Sequence, residues 1–185
     1  DALNESPAPG EELGGNRVQI PASSGAPAAP DWLYEQSTDF PEAEPCPPSG
    51  CTWDNLEKDS EEVNQFQAAT NAHVLASRFH DHLEAAPIGF DEASGNFQRT
   101  NTSGSGIGND YVRVEVNDSG GRNNANFFTP PDGIAPRMQL YLRTIRDVNS
   151  SDQADTVYHE YGHGLSNRLV VNASGSSALS GFQSR

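Results

Sequence analysis

Apolar residues along the chain change period twice, and each change marks an element. Over residues 58–86, Ala68, Ala72, Leu75, Phe79 and Leu83 recur at three- and four-residue steps, so a long helix carries one apolar stripe, extended upstream by Phe66. Asp59 and Ser60 read as its cap, Glu61 and Glu62 as its acidic first turn, and Pro87 as its end. A turn follows at residues 91–95. Residues 111–116 and 137–142 then alternate apolar and polar, as half-buried strands do, with turn clusters at 103–108 and 117–124. From Ser150 the helical period returns. Ser150, Ser151 and Asp152 are capping residues, Asp155 lies in the first turn, and Val157, Leu165 and Leu169 form an apolar side, giving a helix of about 17 residues. Residues 1–57 lack a period and are rich in Pro and Gly, with one short strand expected at residues 17–20. Trp32, Leu33, Tyr34, Phe40 and Trp53 are aromatic and apolar anchors that dock such a segment on a body.

The pattern predicts an α+β fold: a long helix, a twisted and mainly antiparallel sheet, then a second helix. Two regions follow, an extended N-terminal segment over residues 1–57 packed on a body over residues 58–185. With 34% hydrophobic residues, 17 Gly and 13 Pro in 185 positions, the chain is lean for a self-sufficient core and reads as part of a larger fold. The net charge of −15 argues against nucleic acid and anionic membrane surfaces, both of which require a basic face. No apolar run is long enough to span a membrane. The first residues show neither an initiator Met nor an apolar signal core, which predicts processing or fragmentation.

The second helix carries the chemistry. His159, Glu160 and His163 form the pattern H-E-x-x-H, and i, i+4 spacing sets both imidazoles on one face, within reach of one Zn²⁺. Glu160, about 100° round the helix, faces whatever the metal holds and is the expected general base. Chance produces such a pattern in about one per cent of chains of this length and composition. Gly162 and Gly164 each cost the helix up to about 1 kcal/mol relative to Ala, which predicts a packing reason for them. Two histidines do not complete a catalytic site, which takes three protein ligands and an open position. Leu169 and Ser166 occupy the places where a metzincin has its third His and its Gly, so that class is excluded. No Asp, Glu, His or Cys follows His163, so a third ligand comes from upstream or from beyond Arg185, and the latter is expected. His73, His80 and His82 on the first helix read as packing or solvated residues, because no acid or Cys completes a chelate at helical spacing.

Between the strands runs an Asn-rich stretch, Asn124, Ala125, Asn126 and onward, whose small residue flanked by amides suits an exposed edge beside an extended peptide; an ordinary hairpin turn is the equal alternative. Cys46 and Cys51 flank a Pro-Pro-Ser-Gly turn and read as a small disulfide loop of an oxidising compartment, with two free thiols the alternative. Five Asn-x-Ser sequons stand at Asn4, Asn101, Asn117, Asn149 and Asn172, and they carry glycans only in a eukaryotic secretory host. The acidic surplus suits calcium, although no Asp/Glu run has the spacing of a dedicated calcium loop.

Several stretches stand in unbroken order over about residues 60–170: Phe79-His-Asp-His, Gly89-Phe-Asp-Glu-Ala-Ser-Gly-Asn-Phe-Gln98, Gly108-Asn-Asp, residues 123–133 with Arg137-Met-Gln-Leu-Tyr, and His159-Glu-Tyr-Gly-His-Gly-Leu-Ser-Asn-Arg-Leu169. Together they resemble the fungalysin family of secreted zinc endopeptidases. The resemblance implies a thermolysin-like gluzincin: a sheet-rich N-terminal lobe, a zinc helix between lobes, and a helical C-terminal lobe absent from this chain. It implies secretion and a propeptide that is removed. It also implies His159 and His163 as zinc ligands, Glu160 as catalytic base, and Asn124, Ala125 and Asn126 as holders of substrate backbone. The third ligand, a Glu of a Gly-Glu-x-Trp motif, and a later oxyanion-stabilising His fall beyond Arg185. The expectation is therefore the N-terminal piece of a catalytic unit, inactive alone and completed by a second piece. A non-catalytic secreted zinc-binding or interaction module is the alternative; an aminopeptidase lacks its Gly-x-Met-x-Asn anchor here.

Overall fold

The computed structural model describes residues 12–13, 18–19 and 50–179. Its elements are β1 (Glu12–Leu13), β2 (Val18–Gln19), α1 (Gln65–Glu84), β3 (Arg113–Arg122), β4 (Ala125–Phe128), β5 (Arg137–Arg143), β6 (Val148–Asn149) and α2 (Ala154–Leu169). Short 3-10 turns precede both helices, at Ser60–Glu62 and Ser150–Asp152. β1 and β2 pair antiparallel, and β2 falls within the strand expected at residues 17–20. Trp32, Leu33, Tyr34, Phe40 and Cys46 lie outside the described residues.

The first helix begins later than its sequence pattern predicts. Asp59 adopts a left-handed conformation with φ of 62° and makes no side-chain cap, so the chain turns through Ser60–Glu62 before α1 starts at Gln65. The apolar stripe does face inward. Ala68, Ala72, Ala76 and Leu83 are buried, with Leu75 and Phe79 packed against them, whereas Phe66 is 39% exposed and does not extend it.

In the main sheet β5 is central. It pairs in parallel with β3, from Arg113 opposite Arg137 to Val116 opposite Leu140, and antiparallel with β4 and with β6. The sheet is thus mixed rather than mainly antiparallel, its longest pairing being the parallel one. Turn-type residues over 117–124 mislead here: β3 continues to Arg122 through two register shifts, and the chain reverses only at Asn123. Asn123 takes φ of 57°, a left-handed conformation that Asn tolerates better than most residues. Its Oδ1 accepts hydrogen bonds from the Thr144 and Ile145 amides at 2.8 and 3.3 Å, which pins the crossing over the end of β5.

Alternation places Val114, Val116, Met138 and Leu140 on the face covered by the helices. Ala68, Ala69, Ala72, Ala76 and Leu83 of α1, Val157 and Tyr161 of α2, and Phe90 and Phe97 of the intervening loop complete one core. Each large apolar side chain buried there stabilises the fold by about 1.5–3 kcal/mol. Residues 50–55 dock on the far end of the sheet: Trp53 is 4% exposed, and its Nε1 donates to the Arg143 carbonyl at 3.1 Å. The Thr52 and Trp53 amides both donate to the Asp147 carbonyl, at 2.9 and 3.3 Å. Cys51 is buried and disulfide-bonded.

Candidate metal centre

One helix face brings the three chemical groups together. His159 Nε2 and His163 Nε2 lie 3.0 Å apart, with their rings nearly perpendicular. A ligand atom from each of His159, Glu160 and His163 falls within 4.8 Å of the others, and among the described residues no further His, Cys, Asp or Glu joins them. His159 is exposed, His163 half-buried and Glu160 buried. Burial pushes the Glu160 carboxyl up, and its neighbour His159 pulls it back. Burial, with His159 alongside, lowers His163, which favours the neutral imidazole that a metal requires. Two imidazole nitrogens 3.0 Å apart fit one ion at the usual zinc–nitrogen length of about 2.0–2.1 Å. The Glu160 Oε2 atom, buried without a hydrogen-bond partner, is a second sign of a group still to be received.

The helix is held to the sheet edge by aromatic rings. A Cβ on Gly164 would come within 2.7 Å of the Phe127 ring and 2.9 Å of the Phe97 ring, so only Gly lets α2 lie this close to β4. Gly162, by contrast, has no atom within 4 Å of such a Cβ. The expected packing reason therefore holds for Gly164 and not for Gly162. Tyr161, 1% exposed, sits among Phe79, Phe97 and Phe127 with ring centroids 5.5–6.1 Å away.

Beside this helix lies β4, whose pairing with β5 runs from Ala125 opposite Leu140 to Phe128 opposite Arg137. Among the described residues no strand pairs with its other side. Asn124 is exposed, Ala125 is buried, and the Asn126 side-chain amide donates to the Tyr141 hydroxyl.

Arg168, five residues beyond His163 on α2, is named in the sequence only as part of a shared motif, yet it ties the site together. Its Nη1 donates to the Asp110 and Asp132 carboxylates at 2.7 and 3.0 Å and to the Gly95 carbonyl at 3.0 Å, and its guanidinium lies 4.7 Å over the Phe97 ring. Asp110 is fully buried and also accepts from the Gln98 amide. Glu92 organises the adjoining loop, its carboxylate accepting from the Thr102 and Ser103 amides at 2.7 Å each. Hydrogen bonds from Ser103 and Thr102 hold that carboxyl down to about 2. Gly106, with φ of 64°, passes so near that a Cβ would lie 1.9 Å from the Glu92 carbonyl oxygen.

The histidines of α1 are not equivalent, and for His80 the expectation that no acid stands at chelating distance does not hold. His82 is exposed, but His80 is buried and does have acids within chelating range, since Asp81 and Glu84 lie beside it. Both its ring nitrogens are engaged, Nδ1 with Asp81 at 3.1 Å and Nε2 with Asn96 at 3.4 Å, so packing and hydrogen bonding account for it.

A helix presenting two imidazoles and a buried carboxylate, beside a strand edge unpaired among the described residues, is the donor arrangement of the metal-dependent peptidase class. The model of the Fungalysin metallopeptidase (M36) family matches residues 15–185. The chain belongs to that family, and this membership implies zinc. Among its relatives, the extracellular metalloproteinase MEP of Pyricularia oryzae is 47% identical over 118 residues, which is 63% of this chain and 18% of the relative. Extracellular metalloproteinase 3 of Trichophyton tonsurans is 44% identical over 117 residues, 62% of this chain and 18% of that protein. MEP of Leptosphaeria maculans is 39% identical over 130 residues, 66% and 20% respectively. The chain thus spans about a fifth of the length of these relatives.

Proposed function

We propose that this chain supplies the zinc-binding helix and substrate edge of a secreted endopeptidase of thermolysin-like design. The observation that carries the reading is the convergence of His159, His163 and the unpartnered Glu160 carboxylate on one face of α2. His159 Nε2 and His163 Nε2 would hold the zinc. When bound, the ion supplies Lewis acidity, which acidifies water and polarises a carbonyl. Glu160 takes a proton at its carboxylate, whose raised pKa brings it nearer the neutral range in which a general base works best. Asn124, just before β4, and Ala125 and Asn126, its first two residues, hold the backbone of an extended polypeptide on the edge that is unpaired among the described residues, as strand addition does elsewhere. Phe127 and Gly164 fix the spacing between that edge and the metal helix.

A third zinc ligand and the helical lobe carrying it belong to the remainder of the peptidase, a partner polypeptide or a continuation. On this reading the chain binds zinc without turnover on its own. The net charge of −15 favours neither nucleic acid nor an anionic membrane surface as a partner, and no described helix is long and apolar enough to cross a membrane. The test is cleavage of a peptide blocked at both ends by the complete protein carrying this chain. Hydrolysis of an internal bond, abolished by a chelator and restored by zinc, is expected. Stoichiometric zinc binding without any cleavage would instead support a non-catalytic binding module.

A further inference from the structure

Beyond catalysis, the geometry points to Asn172 as an N-glycosylation site, and as the one sequon of the four in the described residues that is open to carbohydrate. Asparagine glycosylation joins the side-chain nitrogen to C1 of a sugar delivered on a lipid pyrophosphate. The N–C1 bond forms, the bond from C1 to the pyrophosphate oxygen breaks, the lipid pyrophosphate leaves, and the amide loses one proton. The product is a bulky hydrophilic group that must stand in solvent once the protein folds.

Three sequons cannot meet that requirement. Asn149 is 1% exposed within β6. Asn117 is 4% exposed, takes φ of 53°, and donates through Nδ2 to the Glu61 carbonyl at 2.9 Å. Asn101 is half-buried and spends its Nδ2 on the Ser105 carbonyl at 2.8 Å; a Cβ on neighbouring Gly106 would stand only 3.0 Å from that nitrogen. A glycan added to any of the three during synthesis would have to enter the protein interior or break the bond that closes its loop.

Asn172 differs in each respect. It is exposed, and its Nδ2 makes no hydrogen bond among the described residues, while its Oδ1 accepts from the Ser174 amide and hydroxyl at 2.9 and 2.7 Å. The sequon thus sits in a turn in which the hydroxyl of its third residue already contacts the acceptor amide. That turn is firm: the Asn172 amide donates to the Ser176 carbonyl at 2.8 Å, Val171 bridges Ser177, and the Ser177 hydroxyl donates to Asn167 on α2 at 2.6 Å. A glycan here would project from the hairpin that follows the metal helix and leave the core untouched.

The inference rests on passage through a secretory pathway, not on peptide hydrolysis, so a failed cleavage assay leaves it standing. The test is to secrete the complete protein from a eukaryotic host behind a secretory leader, then release glycans with peptide N-glycosidase in heavy-oxygen water and map the peptides. Heavy-oxygen Asp is expected at position 172, with Asn101, Asn117 and Asn149 recovered unmarked. Asn172→Gln and Ser174→Ala should each remove one glycan-dependent step in electrophoretic mobility, and Ser174→Thr should retain it. Unmarked Asn172 in the secreted, folded protein, or a marked Asn101, Asn117 or Asn149, would overturn the assignment.

Discussion

At the scale of single residues, environment rather than identity separates the two glycines of the metal helix. Gly164 faces the Phe127 and Phe97 rings at less than 3.0 Å from a built Cβ, and rings do not fold away. Gly164→Ala should therefore destabilise by about 1–3 kcal/mol, the usual cost of overpacking. Gly162→Ala meets nothing within 4 Å and should gain up to about 1 kcal/mol from helix propensity. Urea midpoints of the two variants check both signs, and equal shifts would show the packing account to be mistaken. Glu92 makes a pH prediction. Its folded pKa of about 2 lies below the ordinary glutamate value of 4.5, so its stabilising contribution is present above about pH 4.5 and is lost as the pH falls toward 2. Glu92→Gln should lower stability at neutral pH and flatten that acid limb; unchanged pH dependence in urea unfolding would refute this.

At the scale of elements, Arg168 joins α2 to three loops, and its pairing with fully buried Asp110 raises the stakes of breaking it. Burial pushes the Asp110 carboxyl up, and the guanidinium opposes it. Arg168→Met leaves that carboxyl buried without its charge partner and should cost about 3–5 kcal/mol. A loss below about 1 kcal/mol would mean the clamp is ornamental. How much of this was legible in the sequence follows from the range of each signal. Helical and alternating periods are local, so α1, α2, β3 and β5 are readable from Ala68, Val114, Met138 and Val157, and the convergence of His159, Glu160 and His163 from four-residue spacing. Parallel pairing of β3 with β5 is non-local, and nothing in either strand announces its partner's direction. The same holds for Arg168, whose carboxylate partners stand 36 and 58 positions away in sequence. The start of α1 was misplaced because Asp59 and Ser60 have capping side chains but Asp59 adopts a left-handed backbone.

At the scale of the whole molecule, a helix-covered mixed sheet sets a strand edge, unpaired among the described residues, beside a helix bearing two imidazoles and a carboxylate. The matched stretch covers only 18% of these relatives, so catalysis by the complete protein is the level at which the proposal stands or falls. On the proposed function zinc binding resides in this chain: zinc should raise its melting temperature in a concentration-dependent manner, as any ligand of the folded state does. His163→Ala should abolish that rise. The most direct measurement pairs zinc content with turnover in the complete protein carrying Glu160→Gln. With Glu160 as the proton acceptor, zinc stoichiometry stays unchanged while cleavage of a blocked peptide falls by at least about 10²-fold. Turnover equal to that of the unsubstituted protein, with zinc retained, would contradict the account.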